Sequence, residues 1–223
     1  MKTSVCRIFP AHGWRLAAAA LALLLVGGCQ AIAPLLSPHP NYYSFADVRS
    51  SPMPRLSAPP AVAAAPTLMV SPPHAAAGFD SRRIMYLRQS DKLEYFAHNE
   101  WIDTPARMLE PLIVAAVDSS GAFRVVVPMP STAAGEMRLD TEILRLQHEF
   151  LGTPSQVRFT LRAYLVDISS RRLIASREFD AAVAATSEDP HGGVVAANRA
   201  VQAVLEKISA FCAEEARRVP TEK

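Results

Sequence analysis

Regular alternation of apolar and polar residues predicts β-strands in the middle of this chain. Between residues 156 and 167 every second side chain is apolar, which gives a strand with one buried face and one polar face. Residues 138–150 form a second predicted strand, and its alternation changes frame near Ile143 and Leu144. That change predicts a β-bulge, because a bulge moves the following residues to the opposite face. A turn at residues 152–155 joins the two strands.

Shorter segments predict the remaining strands of the sheet. Residues 83–88 and 93–98 flank a polar turn and indicate a β-hairpin. Apolar residues at 123–127 and 173–181 add two more strands. An aromatic segment near residues 42–47 is expected to form a short edge strand.

The segment after residue 104 has the spacing of an amphipathic helix. Thr104 followed by Pro105 predicts its start, and apolar residues recur at every third or fourth position after it. Gly121 predicts its end. Pro111 lies inside the segment and is expected to kink the helix.

A longer apolar stripe, from Val194 to Cys212, predicts a second helix near the end of the chain. Pro190 introduces it, and Gly192 and Gly193 are expected to loosen its first turn. The order of strands, helix, strands and helix predicts a single α+β domain. We expect a mostly antiparallel sheet with the two helices packed on one face.

The N-terminus, residues 1–28, has the features of a secretory signal peptide. The basic residues of its first part are Lys2, Arg7 and Arg15. An unbroken apolar run of 11 residues follows, and it is too short to span a bilayer, which takes about 20 residues. The run ends in Gly27-Gly28-Cys29, which resembles a bacterial lipobox, where the cysteine is acylated and becomes the new N-terminus.

Lipidation of Cys29 is therefore the expected modification. The alternative is an ordinary cleaved signal peptide in which Cys29 has no role. Gln30 follows the cysteine, and by resemblance to bacterial sorting signals it favours the outer membrane, with the domain facing the periplasm. After removal of the signal peptide, Cys212 is the one cysteine left in the sequence besides Cys29. Because it lies on a predicted helix, it is expected to act as a small buried hydrophobic residue.

Residues 29–66 are predicted to form a lipidated tether between the anchor and the globular part. Eight prolines in residues 31–66 favour an extended chain, which at about 3.1 Å per residue reaches on the order of 100 Å. The globular domain is expected at residues 67–218, followed by a polar tail at 219–223.

Charge and motif content exclude several functional classes. The chain has 23 basic and 21 acidic residues, and removal of the signal leaves 20 basic and 21 acidic. A near-neutral chain lacks the basic surface of a nucleic-acid-binding protein. No nucleophile-elbow, zinc-protease or phosphate-loop motif occurs in the sequence. We therefore expect no catalytic residue, no metal site and no cofactor.

The polar face of the strand at residues 156–167 supplies the candidate contact residues. Arg158 and Arg162 share this face with Tyr164. They are candidates for contact with a phosphate or lipid headgroup, or with a partner protein. Trp101 precedes the first helix, and it either packs in the core or contacts a ligand.

A series of short motifs follows the lipobox. In chain order they are Tyr42-Tyr43-Ser44-Phe45, Tyr86-Leu87-Arg88, Leu93-Glu94-Tyr95-Phe96, Trp101, Thr104-Pro105, Met108-Leu109 and Arg177-Glu178-Phe179. Their residues and their order resemble the ABC-type transport auxiliary lipoprotein family, and the resemblance extends from Cys29 to about Arg217.

This resemblance implies a non-enzymatic accessory subunit of an MCE-type (mammalian-cell-entry) ABC transport system, similar to the lipoprotein of the paraquat-inducible intermembrane system. Such systems move phospholipids or other hydrophobic molecules between the inner and outer membranes. The implied partners are an MCE-domain substrate-binding protein and the membrane that holds the anchor. A homo-oligomer is also compatible with the resemblance, and no nucleic-acid partner is expected. The alternatives are a carrier of lipid or another hydrophobic ligand, and an outer-membrane assembly lipoprotein.

The first prediction concerns the anchor. Replacement of Cys29 by Ala removes the thiol that carries the acyl chains, so the protein should move from the membrane fraction to the soluble periplasmic fraction. Cell fractionation followed by immunoblotting measures this distribution. If the Cys29→Ala protein stays with the membrane, the lipid anchor is wrong.

Overall fold

The computed structural model describes residues 39–45 and 65–218. The expected signal peptide, Cys29 and the tail at 219–223 lie outside the described residues. Within the described part, the chain forms nine strands and two helices in one α+β domain. The fold class is therefore the one expected from the sequence.

The strands run in the order β1 (Asn41–Tyr43), β2 (Thr67–Val70), β3 (His74–Ala75), β4 (Arg83–Gln89), β5 (Lys92–Trp101), β6 (Val125–Pro128), β7 (Met137–Glu149), β8 (Gln156–Asp167) and β9 (Leu173–Ala184). Helix α1 (Pro105–Asp118) lies between β5 and β6, and helix α2 (Pro190–Arg218) follows β9. The observed bounds of β7 and β8 differ from the predicted bounds by one residue at most.

Strand β7 is the centre of the sheet. Its one edge pairs with β8 in antiparallel orientation, and β8 pairs with β9 in the same way. Its other edge is shared by β2, β3 and β4, which follow one another along β7 and are all parallel to it. Strands β2 and β6 are also parallel, as are β1 and β5.

The expectation of a mostly antiparallel sheet is therefore wrong, and the sheet is mixed. The reason is the long connections between the parallel partners. Hairpin turns produce antiparallel neighbours, whereas the chain from β2 to β7 travels through a hairpin, a helix and a further strand before it returns. Alternation within one strand does not encode such a distant pairing.

The β-bulge that the frame change predicts is confirmed. On β7, Ile143 pairs with Leu161 and Arg145 pairs with Thr160, so Leu144 has no partner of its own on β8. The bulge moves the positions of β7 that face the hydrophobic core from odd to even residue numbers.

Both helices belong to one hydrophobic core with the sheet. The inward side chains of β8, such as Phe159 and Leu161, are fully buried. Helix α2 packs on this face, where the ring of Phe211 lies 5.7 Å from that of Phe179 on β9. Helix α1 packs beside α2, and the hydroxyl of Ser209 donates a hydrogen bond to a main-chain carbonyl of α1.

The ends of α1 follow local sequence chemistry. Thr104 precedes the helix in an extended conformation, and its carbonyl accepts the first helical hydrogen bond, from Met108 N, although its side chain makes no capping bond. Pro105 occupies a first-turn position, where no N–H is needed. Gly121 adopts a positive φ of 64° just after the helix, a conformation that glycine takes without strain.

Strand β1 ties the segment before residue 46 to the edge of the domain. Tyr43 pairs with Trp101 on β5, and the carbonyl of Tyr43 accepts a hydrogen bond from Ile102 N at 2.7 Å. Phe45 is 7% exposed and packs against Trp101, which is 2% exposed, with ring centroids 5.0 Å apart. A tryptophan from the folded domain thus holds an aromatic ring from the tether region.

The second prediction concerns this aromatic contact. Replacement of Trp101 by Ala should lower the free energy of unfolding by about 3–5 kcal/mol, because it empties a buried aromatic site. Urea unfolding measures the change. Ile102→Ala is the matched control, since Ile102 is 59% exposed and its truncation should cost far less. Equal stability of the two variants would contradict the core role of Trp101.

Candidate partner-docking face

The sheet face opposite the helices is polar across β7, β8 and β9. Alternate residues of β8 lie on it, and they include the sequence candidates Arg158, Arg162 and Tyr164. We call this surface the ladder face and define it by its residues: Arg158, Thr160, Arg162 and Tyr164 on β8, Glu142 and Glu149 on β7, and Glu178 and Asp180 on β9.

Each arginine of β8 lies between carboxylates of its two neighbouring strands. Arg158 is 3.4 Å from Glu149 (Nε to Oε1) and 3.1 Å from Asp180 (Nη1 to Oδ2). Arg162 is 3.0 Å from Glu178 (Nη2 to Oε2), and its Nη1 is 3.9 Å from an oxygen of Glu142. A basic strand is thus flanked by two acidic ones.

These contacts change the expectation for the arginines. Hydrogen bonds to Tyr164 and Glu178 raise the pKa of Arg162 above its ordinary value, so both groups favour its charged form. A phosphate group at either arginine would also lie close to the neighbouring carboxylates, and their negative charge opposes its binding. Paired charges on a rigid sheet suit recognition of a complementary protein surface better than capture of a free anion.

Glu149 is the buried member of the ladder face, since its side chain is 8% exposed. Its carboxylate accepts hydrogen bonds from the amides of Gln147 at 2.8 Å and Gln156 at 3.0 Å. With Arg158 close by, this buried charge has the partners that burial requires. The neighbouring Thr160 donates to Asp180 at 2.6 Å.

Trp101, the fourth sequence candidate, does not lie on the ladder face. It belongs to the buried core at the junction of β5 and β1, with Phe45 as its aromatic neighbour. The structure therefore brings together the three candidates on β8 and leaves Trp101 apart from them.

A buried His148–Ser155 pair is a feature that sequence reasoning missed. His148 Nε2 is 2.8 Å from the hydroxyl oxygen of Ser155, while His148 Nδ1 has no hydrogen-bond partner. The ring lies 4.0 Å from that of Phe150. The Ser155 hydroxyl is fully buried, so this pair is closed to a substrate.

Close packing against His148 and Ser187 explains the two glycines at the start of α2. A Cβ at Gly193 would lie 2.4 Å from His148 Nδ1, so glycine is required for the helix to approach the ring. A Cβ at Gly192 would meet the backbone of Ser187 at 2.3 Å. The expectation that these glycines loosen the helix is wrong, because they permit close packing. Asp189 caps this helix by accepting a hydrogen bond from Gly192 N at 2.7 Å.

Burial lowers the pKa of His148 below its ordinary value, and the nearby carboxylates of Glu188 and Asp189 act in the opposite direction. Glu188 also accepts a hydrogen bond from Ser155 N at 2.9 Å. The imidazole is therefore held neutral near pH 7, in contact with the first turn of α2.

A cavity of about 10 Å³ lies between the sheet and α2. Trp101, Leu146, His148, Val157 and Val194 are among its lining residues. This volume accommodates the centre of about one water molecule, which is far smaller than an acyl chain.

The chain matches one protein family over residues 50–209, described as the ABC-type transport auxiliary lipoprotein component. This match covers more than half of the 223 residues. The chain belongs to that family. The resemblance drawn from the sequence motifs is thereby confirmed, and no curated protein matches the chain.

Solved structures show that this lipoprotein family member shares its fold with other proteins. A Xanthomonas campestris protein of the DUF330 family has a TM-score of 0.64 and 24% identity, over 71% of this chain and 89% of that one. A protein described only as uncharacterized has a TM-score of 0.58 at 13% identity, over 79% and 98%. A hypothetical protein of Chlamydia trachomatis has a TM-score of 0.50 at 10% identity, over 69% and 98%.

Three further observations concern other kinds of site. In residues 39–45 and 65–218, no group of three or more histidine, cysteine or acidic side chains is placed to hold a metal ion. Neither described helix combines the length and apolar character needed to cross a bilayer. Cys212 is buried, and burial raises the pKa of its thiol to about 12, so it stays neutral in the core.

The third prediction concerns pH. Because the pKa of His148 is lowered in the folded protein, the unfolded chain binds the proton first, and the free energy of unfolding should fall as the pH drops below about 6.5. The slope for one such group is at most about 1.4 kcal/mol per pH unit. Urea unfolding at several pH values between 7.5 and 5.5 measures it.

The matched variants are His148→Gln and His98→Gln, since His98 is exposed on β5. The first should flatten the dependence and the second should preserve it. Above pH 5.5 the carboxylates with lowered pKa values, such as Glu188, remain ionised in both states. An unchanged slope in His148→Gln would show that another group is responsible.

Proposed function

We propose that this chain is a lipid-anchored, periplasm-facing accessory subunit of an MCE-type ABC transport system at the outer membrane. Its role is to dock an MCE-domain substrate-binding protein while phospholipids or other hydrophobic molecules move between the inner and outer membranes. Membership of the ABC-type transport auxiliary lipoprotein family is the observation that carries the proposal.

The anchor in this proposal is an acylated Cys29. The short apolar run that ends in Gly27-Gly28-Cys29 supports it, and Gln30 supports the outer membrane as its location. Two or more acyl chains give stable attachment, since each buried CH₂ contributes about 0.8 kcal/mol.

The docking surface in this proposal is the ladder face. Its charged groups stand on three adjacent strands and are held by one another, so they are already ordered before a partner arrives. Ordered charges set the orientation and selectivity of a complex more than its raw affinity. The geometry therefore suits an accessory subunit that must hold a partner in one register.

The outer edge of β9 supports a protein partner as well. Among the described strands, β9 pairs only with β8, which leaves its 12 residues with one open edge beside the ladder face. Open strand edges accept a further strand from another chain. Lys207 donates to the carbonyl of Asp180 at 2.8 Å and so protects one point of this edge.

The proposal assigns no catalytic step to the chain. The family is one of transport auxiliary components. The serine that lies within hydrogen-bond distance of a histidine, Ser155, is fully buried and holds the turn before β8 against α2.

The fourth prediction tests the ladder face. Arg162→Glu places a third acid beside Glu142 and Glu178, so capture of the MCE-domain protein should fall by at least about tenfold through lost charge complementarity. The free energy of unfolding should change by only about 1 kcal/mol, because the pairs of Arg162 are partly exposed. Crosslinking in cells followed by pull-down measures the capture.

Two variants control this experiment. Arg199→Glu makes the same charge change at an exposed position of α2, away from the ladder face, and should leave capture intact. The double swap Arg162→Glu with Glu178→Arg restores one ladder pair and should recover part of it. Failure of the original protein to recover any MCE-domain protein, even after crosslinking, would overturn the proposed function.

A further inference from the structure

The position of β1 limits how far the domain can move from its anchor. The described chain re-joins the domain at Asn41, which is 12 residues after Cys29. Twelve residues span at most about 43 Å even when fully extended. The reach of about 100 Å expected from the whole tether is therefore not available while β1 is paired.

Several contacts hold β1 against β5. Asn41, Tyr42 and Tyr43 match consecutive residues of β5, and the Tyr43 hydroxyl is 3.2 Å from the side-chain oxygen of Asn99. Phe45 adds its buried contact with Trp101. The edge of the sheet that carries β1 is therefore the part of the domain closest to the acylated residue along the chain.

A cluster of tyrosine and arginine side chains lies at this edge. We call it the tether-exit patch and define it as Tyr42, Arg82, Arg83, Leu93 and Tyr95. Arg82 lies 5.1 Å from the ring centre of Tyr42, and Arg83 lies 4.1 Å from that of Tyr95. The two tyrosines are 54% and 47% exposed, and Leu93 is 39% exposed.

The strand register places Tyr42 and Arg83 of this patch on one face of the sheet. Glu100 pairs with Tyr42 on one side and with Arg83 on the other, so the three side chains share a face. Because β1 is parallel to β5, the N-terminal end of β1, at Asn41, is directed toward the Lys92 end of β5, on which Leu93 and Tyr95 lie.

The chemistry of the patch fits a phospholipid headgroup layer. Tyrosine rings are amphipathic and favour the boundary between hydrocarbon and water. A guanidinium held over a ring can still present N–H donors to phosphate oxygens, and in Arg82 the Nε is already used, since it donates to the carbonyl of Trp101 at 3.1 Å. Arg82 has one carboxylate neighbour, Glu100 at 3.7 Å, and among the described residues no carboxylate lies within 4 Å of Arg83.

This arrangement differs from the ladder face. There, Arg158 and Arg162 each lie between carboxylates of two strands, and the tyrosine beside Arg162, Tyr164, is half-buried. At the tether-exit patch, the guanidinium groups stand over exposed aromatic rings.

We propose that the tether-exit patch rests on the phospholipid headgroups of the leaflet that holds the Cys29 anchor. This inference relies on the lipid anchor of the proposed function and adds an orientation to it. Because the anchor already holds the domain beside the bilayer, the contact is intramolecular and needs only weak intrinsic affinity. The domain then meets the membrane with the β1–β5 edge.

Depth-dependent fluorescence quenching tests this orientation in the full-length lipidated protein. The protein is placed in vesicles of phosphatidylethanolamine and phosphatidylglycerol at about a 3:1 ratio, with part of the lipid brominated on its acyl chains. Tyr95→Trp is the reporter on the patch. Leu173→Trp is the matched reporter, since Leu173 is 56% exposed at the start of β9, on the opposite side of the sheet.

The expected result is that the brominated lipid quenches Tyr95→Trp at least about twofold more than Leu173→Trp. The native Trp101 is buried and gives the same background in both proteins. Adding Arg82→Gln and Arg83→Gln to the Tyr95→Trp reporter should remove the difference, since each basic contact with an anionic surface is worth about a fivefold change in occupancy. Thermal melting confirms that the variants remain folded.

The outcomes separate this inference from the proposed function. Equal quenching of the two reporters in a protein whose intact mass shows the acyl chains overturns the orientation and leaves the anchor standing. Unchanged quenching after loss of both arginines overturns the headgroup contact. If the intact mass shows no acyl chains, the lipid anchor is wrong, and the proposed orientation, which depends on that anchor, is wrong as well.

Discussion

The bulge at Leu144 keeps one face of β7 buried along the whole strand. Before the bulge, Leu139 and Ile143 point into the core, and after it Leu146 and His148 do so. Without the extra residue, strict alternation would direct residues 145, 147 and 149 into the core, and these are arginine, glutamine and glutamate. One unpaired residue therefore decides which side chains the helices cover and which ones form the ladder face.

The same strand also connects the two surfaces to which we assign functions. Its edge toward β8 carries the charged ladder, with acids on β7 and β9 and bases on β8. Its edge toward β4 leads through β5 to β1, where two guanidinium groups stand over exposed tyrosine rings and only Arg82 of the two has a carboxylate neighbour among the described residues. One sheet thus presents a surface suited to a protein at one side and a surface suited to phospholipid at the other.

Features that depend on near neighbours could be predicted from the sequence. The alternation in β8, the frame change in β7, the hairpin of β4 and β5, and the start of α1 after Thr104 each follow from a short stretch of residues. The polar side chains of β8 were identified for the same reason. Their carboxylate partners were not, because those come from strands whose pairing the alternation leaves open.

Features that depend on distant neighbours could not be predicted in this way. The parallel pairing of β2, β3 and β4 with β7 joins residues more than 60 positions apart. The contact of His148 with Gly193 joins a strand to a helix that begins after two further strands. A pair of glycines at a helix start signals either freedom or close approach, and only the facing side chain distinguishes the two.

The parallel pairing has a consequence for the time at which the domain can form. Leu68 of β2 can pair with Met137 only after β7 has been synthesised. The sheet therefore has a high contact order, and its central strands pair late in folding. A polypeptide that crosses a membrane through a secretion channel must remain unfolded on the way. In the proposed function the chain is exported, and late pairing at the sheet centre would then help it to stay unfolded until α2, the last of the described elements, completes the core.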